Sequence, residues 1–275
     1  MKKIAVLITV FNRKDKTLTC LDALYRQYLS SNYIVDVFLV DDGCTDGTPE
    51  AVATSFPDVT IVNGNGSLFW NRGMHLAWKT ASECADYDYY LWLNDDVILY
   101  ESAMTDVLAS VDSNTPSLVC GAIESKIDGS FTYGVRDSKG REVIPNGDVQ
   151  YNGHFINGNF VLVSKSSFDL IGNLDEIFPH AIGDHDYGLR LLSQGGKIIT
   201  TSHYVGTCER NARLPLWCYS STPLLSRLKY LYSPLGYAHP IYFFIYEKRH
   251  FGIWRASKHF ITIHLRTFIP SLWKN

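Results

Sequence analysis

Ile4-Ala-Val-Leu-Ile-Thr-Val-Phe11, closed by the polar stretch Asn12-Arg13-Lys14-Asp15, is a short unbroken apolar run rich in β-branched residues. Such a run reads as a strand buried on both faces, the kind that occupies a parallel sheet. Behind the cap-like Asp15, Leu18, Leu21, Leu24, Tyr25 and Tyr28 recur at spacings of three and four, which predicts a helix with one apolar stripe. The alternation then repeats. Strands are expected over Ile34 to Val40, Val59 to Val62, Tyr89 to Leu93 and Leu118 to Ile123, with helices from Pro49, from about Asn71 and from about Glu101 between them. Glu124 to Gly153 weakens into turns and short β-like pieces, an excursion laid over the sheet. A strand over Phe155 to Val163, helices from Ser166 and over Asp184 to Ser193, and a strand over Lys197 to Thr201 complete the pattern. Strands alternating with helices predict an α/β fold whose sheet is mostly parallel and flanked by helices.

The chain has 275 residues and is 46% hydrophobic, within the usual range for a globular protein and against disorder. Its longest apolar runs fall well short of the roughly 20 residues that span a bilayer. Two lysines precede the first apolar run, yet no small-residue cleavage site follows, so it reads as a strand and not a signal peptide. Six cysteines with no C-x-x-C pair and no zinc-type spacing read as reduced thiols of a cytoplasmic protein. The bland net charge of −3 hides an asymmetry. Residues 1–222 carry 17 basic and 27 acidic groups, whereas residues 223–275 carry 8 and 1. This predicts an acidic body over 1–222 and a basic, aromatic extension over 223–275 with a partner of its own.

Open α/β sheets bind ligands outside the carboxyl ends of their strands, and those ends are polar here. The first ends in Thr9-Val-Phe-Asn-Arg13, the second in Asp41-Asp-Gly-Cys-Thr-Asp-Gly47, the third in Asn63-Gly-Asn-Gly66 and the fourth in Asn94-Asp-Asp96. Carboxylates gathered at one edge repel one another without a cation or donors between them. The dinucleotide fingerprint is absent, because Gly64-Asn-Gly66 meets Phe69 where its third glycine would fall, and no phosphate loop ending in Gly-Lys-Ser/Thr occurs. A nucleotide site built on carboxylates and a metal remains.

Thr9-Val-Phe-Asn-Arg13, Val40-Asp-Asp-Gly-Cys-Thr-Asp46, Leu93-Asn-Asp-Asp-Val97 and Gly183-Asp-His-Asp-Tyr-Gly-Leu-Arg190 resemble, in order, the motifs of family 2 glycosyltransferases with the Rossmann-like GT-A fold, and somewhat more closely the rhamnosyltransferase-like branch. The resemblance covers roughly residues 1–206. It implies inverting transfer of a sugar from a UDP- or dTDP-sugar to a saccharide or lipid-linked acceptor, in bacterial surface polysaccharide synthesis, with Mn²⁺ or Mg²⁺. It assigns Asp42 to the base, Asp96 to the metal and Asp184 to the general base, with Asp186 as the alternative base or an orienting partner. Thr9 and Phe11 line the base pocket or pack in the sheet, and Asn12 and Arg13 accompany them in the donor site. Asn94 replaces the first acid of the family's D-x-D element, and Asp95 then contacts ribose or sugar hydroxyls. In some members a His near the position of His203 completes the metal shell. Asn65, Gly66 and Arg72 stand where donors approach the diphosphate, or form a helix cap with a surface Arg. Trp70, bulkier than the family's residue, walls the donor pocket, and Gly158 and Asn159 approach the donor sugar.

In the extension Arg227, Lys229, Lys248, Arg249, Arg255, Lys258, Arg266 and Lys274 alternate with aromatics from Tyr230 to Trp273. This suggests peripheral contact with the inner face of the cytoplasmic membrane. The alternatives are packing on the body and a homodimer contact, and the acidic body speaks against nucleic acid. Two rival functions are a nucleotidyltransferase that makes nucleotide-sugars, which lacks here its Gly-rich basic first loop, and a non-catalytic carbohydrate-binding protein.

Overall fold

The computed structural model describes residues 1–112, 114–210 and 214–272; Trp273 and Lys274 lie outside the described residues. In chain order β1 (Lys2–Val10), α1 (Lys14–Tyr25), β2 (Tyr33–Asp41), α2 (Thr48–Ser55), β3 (Thr60–Asn63), α3 (Phe69–Cys84) and β4 (Tyr89–Leu93) alternate as the hydrophobic pattern predicts. Then come β5 (Ile98–Leu99), α4 (Ala103–Ala109), β6 (Ser117–Glu124), β7 (Phe131–Tyr133), β8 (Val135–Arg136), β9 (Phe155–Ile156), β10 (Phe160–Ser164), α5 (Lys165–Ile171), α6 (Gly183–Ser193) and β11 (Lys197–Thr207). The extension supplies α7 (Leu224–Leu231), α8 (Pro240–Phe251) and α9 (Ile253–Phe268).

Side chains alternate across a strand, and β1 therefore feeds two cores. Ile4, Val6 and Ile8 join Leu21 and Leu24 of α1 and Met104 and Val107 of α4 on one face of the sheet. Ala5 and Leu7 join Met74, Ala77, Trp78 and Ala81 of α3 on the other. The spacing of three and four in that last set is the helical stripe that lets α3 lie flat on the sheet. Among the described residues the main sheet runs β3-β2-β1-β4-β10-β6-β11-β5, with β7 beside β6. β1 pairs in parallel with β2 and β4, β2 with β3, and β6 with β11; β10 is set antiparallel between β4 and β6. This is the expected mixed α/β architecture, with a largely parallel sheet flanked by helices.

Two strands depart from their expected bounds. The run read as Phe155 to Val163 is broken into β9 and β10, because at Asn157-Gly158-Asn159 the chain turns against α3 and β4, and Asn94 N–H donates to Asn159 O at 2.9 Å. β11 continues six residues past Thr201, held by β6 through Glu124 and by β5, with register shifts around Tyr204.

Fully buried Trp78, Trp92 and Tyr187 meet with ring centroids 5.1–5.6 Å apart, locking α3, β4 and α6 together. Truncating an aromatic of this kind typically costs about 3–5 kcal/mol, so the start of α6 is firmly held opposite the end of β4. The extension packs back on the body: Tyr242, Phe243 and Tyr246 of α8 share an apolar cluster with Phe178 and with Leu189 of α6.

Candidate active site

β1, β2 and β4 run parallel and adjacent, so the residues after Val10, Asp41 and Leu93 emerge together at one edge. The edge is laced by polar side chains. Asn12, in the left-handed region at φ 53°, accepts from Thr45 N–H at 2.7 Å through Oδ1, and Asp41 Oδ1 accepts from Cys44 N–H at 2.7 Å. Buried Asp42 accepts from Gly66 N–H through Oδ1 and from Leu68 and Phe69 N–H through Oδ2, each at 2.9 Å. These are charge-assisted bonds of the stronger kind, and they clamp the β3–α3 loop onto the end of β2. A loop-shaping role was expected of Asp41; Asp42 has one as well. The Gly66 amide is therefore committed to Asp42, and Asn65 Oδ1 accepts from Ser67 in its own turn.

After β4, Asp95 and Asp96 face Arg13, whose Nη1 lies 3.0 Å from Asp95 Oδ1 and 3.0 Å from Asp96 Oδ2, while Lys16 Nζ is 3.7 Å from Asp96 Oδ2. Burial pushes Asp95 up to about 6, with Arg13 pulling against it and Asp96 adding to it. Burial disfavours the Arg13 charge, but the two carboxylates more than offset it and hold the guanidinium protonated. Phe11 is 55% exposed at the same edge, so its ring is not sheet packing. Thr9 lies against Gly73 of α3, where a Cβ would strike its side chain.

Asn94 has a different task from that of an acid in its place. Its Oδ1 accepts from Trp70 Nε1 at 2.6 Å, so the two departures from the family pattern are partners. The Trp70 ring in turn covers Gly158: a Cβ there would run into the indole and stand 3.4 Å from Asp184 Cβ. Asp184, in the first turn of α6, accepts from Gly158 N–H at 2.9 Å through Oδ2 and from His185 N–H at 2.8 Å through Oδ1. Asn159 is buried beside them.

Three of the candidate residues have other partners. Asp186 is fully buried behind α6, where Arg190 Nε (2.8 Å), Arg249 Nη1 (2.7 Å) and His250 Nε2 (2.8 Å) surround it. It joins α6 to the extension. Arg72 donates from Nε to Glu176 O at 2.8 Å and turns away from the edge. His203 is exposed in the irregular part of β11, its Nδ1 3.0 Å from Ser202 Oγ. It stands four residues before Thr207, the partner of Ile98, in the segment where the register of β11 against β6 slips.

The β11-side residue that does approach Asp96 is Cys208, its Sγ 3.6 Å from Asp96 Oδ1; burial and that carboxylate push the thiol up to about 12. Both line a cavity of about 340 Å³ with Lys16, Lys126 and Glu209. Among the described residues no three His, Cys, Asp or Glu side chains form a metal-holding group. The donor set fits a divalent cation in one mode, with one or two carboxylates from the protein and the remaining ligands from phosphate and water. Sequence reasoning also missed His180. Its Nδ1 lies 3.4 Å from Trp70 N, burial lowers its pKa, and both Asp184 and Arg13 are near enough for their charges to act on it. No spacing signal marks Cys208; His180 could have been noticed four residues before Asp184.

Residues 5–172 match the family model described as Glycosyl transferase family 2. The chain is 25% identical over 212 residues, 66% of its own length and 67% of the relative's, to the N-acetylglucosaminyl-diphospho-decaprenol L-rhamnosyltransferase of Mycobacterium tuberculosis. Among solved structures it is similar to S. aureus TarS 1–349 in complex with UDP, with TM-score 0.56 and 15% identity over 76% of this chain. That alignment spans 60% of the TarS fragment, less than two thirds of its length. The mannosyltransferase PcManGT from Pyrobaculum calidifontis, in complex with GDP-Man and Mn²⁺, is similar with TM-score 0.58 and 15% identity, over 98% of this chain and 81% of that one. At these identities the two structures share the fold.

Proposed function

The chain belongs to glycosyltransferase family 2, and on that premise we propose that it moves a sugar, with inversion, from a UDP- or dTDP-sugar to a saccharide or lipid-linked acceptor in surface polysaccharide synthesis. The observation that carries the reading is the link Trp70 makes between two acidic segments: it bonds Asn94, next to Asp95 and Asp96, and packs on Gly158, whose N–H holds Asp184. The rhamnosyltransferase relative, whose printed name gives a diphospho-decaprenol acceptor, supports dTDP-rhamnose as the first donor to try. Residues 1–222 are the transferring unit in this reading and 223–275 an appended one.

Asp184 takes the proton of the acceptor hydroxyl as its oxygen attacks the anomeric carbon, and the bond to the diphosphate breaks on the opposite face. One carboxylate suffices for a single displacement. The amide of Gly158 fixes the rotamer of Asp184, and Gly158 itself is required because Trp70 leaves no space for a side chain. Phe11 offers a ring face to the base, and the Asp42 clamp shapes the loop around it. Arg13 and Lys16 stand beside the carboxylates with charge suited to a diphosphate. Mn²⁺ or Mg²⁺, held by Asp96 with Asp95 beside it, would neutralise charge on the leaving diphosphate.

Thermal stabilisation by UDP and dTDP, measured with and without Mn²⁺, tests the donor half. A larger shift with metal is expected in the wild type and no metal increment in Asp96→Ala. Equal shifts with and without metal in the wild type remove the cation from the mechanism.

A further inference from the structure

The outer face of α9 is apolar where a water-facing helix should be polar. Ala256, Ile263 and Thr267 bury one side of the helix against the extension. On the opposite side Trp254 is 87% exposed, Ile261 57%, Leu265 48% and Phe268 51%, with exposed Lys258 among them. Their spacing of four, three, four and three residues places them on one stripe. α9 also carries Arg255 and Arg266 and has no Asp or Glu.

We propose that this stripe is a docking surface for an anionic lipid bilayer, with α9 lying in the plane of the headgroups. The occupant is chosen by charge. Arg249 and Arg255 are taken up by Asp175, Asp186 and Glu247, but Lys258 stands exposed within the stripe, Lys229 and Lys248 are exposed on α7 and α8, and α9 carries no acid. This complements an anionic leaflet, whereas a second copy packing the same stripe on itself would bring Lys258 against its own counterpart. The geometry agrees with lying and not spanning. Sixteen residues make a helix about 24 Å long, and among the described residues no helix is long and apolar enough to cross a membrane. A large exposed aromatic beside a lysine is the composition of interfacial helices. The proposal rests on the glycosyl-transfer reading for its purpose alone: it would hold the enzyme where a lipid-linked acceptor lies.

Co-sedimentation of the full chain with vesicles of phosphatidylcholine, with and without phosphatidylglycerol, tests it. Binding should require the anionic lipid and weaken with salt. Each basic group near such a surface is worth about fivefold in affinity, so Lys258→Glu should lose roughly tenfold or more, and the triple variant Trp254→Ser, Ile261→Ser, Leu265→Ser at least as much. Both variants should keep the wild-type circular dichroism spectrum and the vesicle-free release of nucleoside diphosphate from a donor. Equal binding to neutral vesicles, or wild-type binding by the folded triple variant, would overturn the assignment. So would dimerisation through this stripe with no vesicle binding. Donor turnover lost with vesicle binding intact would instead remove the transfer reading and leave the surface standing.

Discussion

Asp42 accepts three backbone amides, and asparagine in its place would leave one acceptor oxygen for three donors. A buried donor left unpaired costs about 1–3 kcal/mol, so Asp42→Asn should lower the melting temperature as well as weaken UDP or dTDP. A loss of stability with an unchanged nucleotide Kd, measured by calorimetry, would confine the carboxylate to the loop and move base recognition elsewhere. Gly158 carries a second prediction at this scale. Gly158→Ala drives a methyl group into the Trp70 ring, an overpacking that typically costs 1–3 kcal/mol, and strains the Trp70 bond to Asn94. The double variant Gly158→Ala, Trp70→Leu should recover much of the lost stability, read as melting temperature. An alanine variant as stable as wild type would show that the wall yields freely. Neither pairing is legible in the sequence: Asn94 and Trp70 stand out there as separate oddities, and nothing in their spacing says that one accepts the other's N–H.

Among the elements, α6 presents two acids with opposite fates. Asp184 and Asp186 are two residues apart, about 200° around a helix, so one faces the cleft and the other the extension. The Gly183-Asp-His-Asp186 motif marks both, but the partners that decide between them, Arg249 and His250, lie more than 60 residues away in the chain. Burial alone would raise the Asp186 pKa, but His250, Arg190 and Arg249 together hold it below the usual carboxylate value. A lowered folded-state pKa stabilises the fold above the ordinary value near 4 and loses that contribution as pH falls through the folded value. Hydrogen exchange should therefore show α8 losing protection on acidification below about pH 4 before the strands β1 and β4 do. Asp186→Asn should bring that loss to neutral pH, since removing one partner from a buried charge cluster costs about 3–5 kcal/mol. Unchanged protection of α8 in that variant would show that the apolar cluster around Tyr246 docks the extension unaided. The continuous strand expected over Phe155 to Val163 fails at Asn157-Gly158-Asn159, a local Asn-Gly turn signal that also packs against Trp70 and bonds to Asn94.

At the scale of the whole molecule, the apolar runs of β1 and β4 and the stripe of α3 made the layer order readable, since burial on two faces leaves a pattern in composition. The strand-end acids after β2 and β4 share one edge of the sheet, because parallel strands bring their carboxyl ends together. The pattern could not reveal what a cross-chain contact supplies: Cys208 beside Asp96, the Trp70 amide beside His180, or the body-facing side of α8. In the proposed mechanism the two carboxylate groups are halves of one site, donor on the β4 side and base on α6, and a paired measurement tests that most directly. For Asp184→Asn, kcat for sugar transfer and the Kd of the nucleoside diphosphate should be determined with the same preparation. General-base catalysis is worth about 10²–10⁴-fold, so the account predicts a fall in kcat of that order with Kd unchanged; turnover near that of the wild type would contradict it.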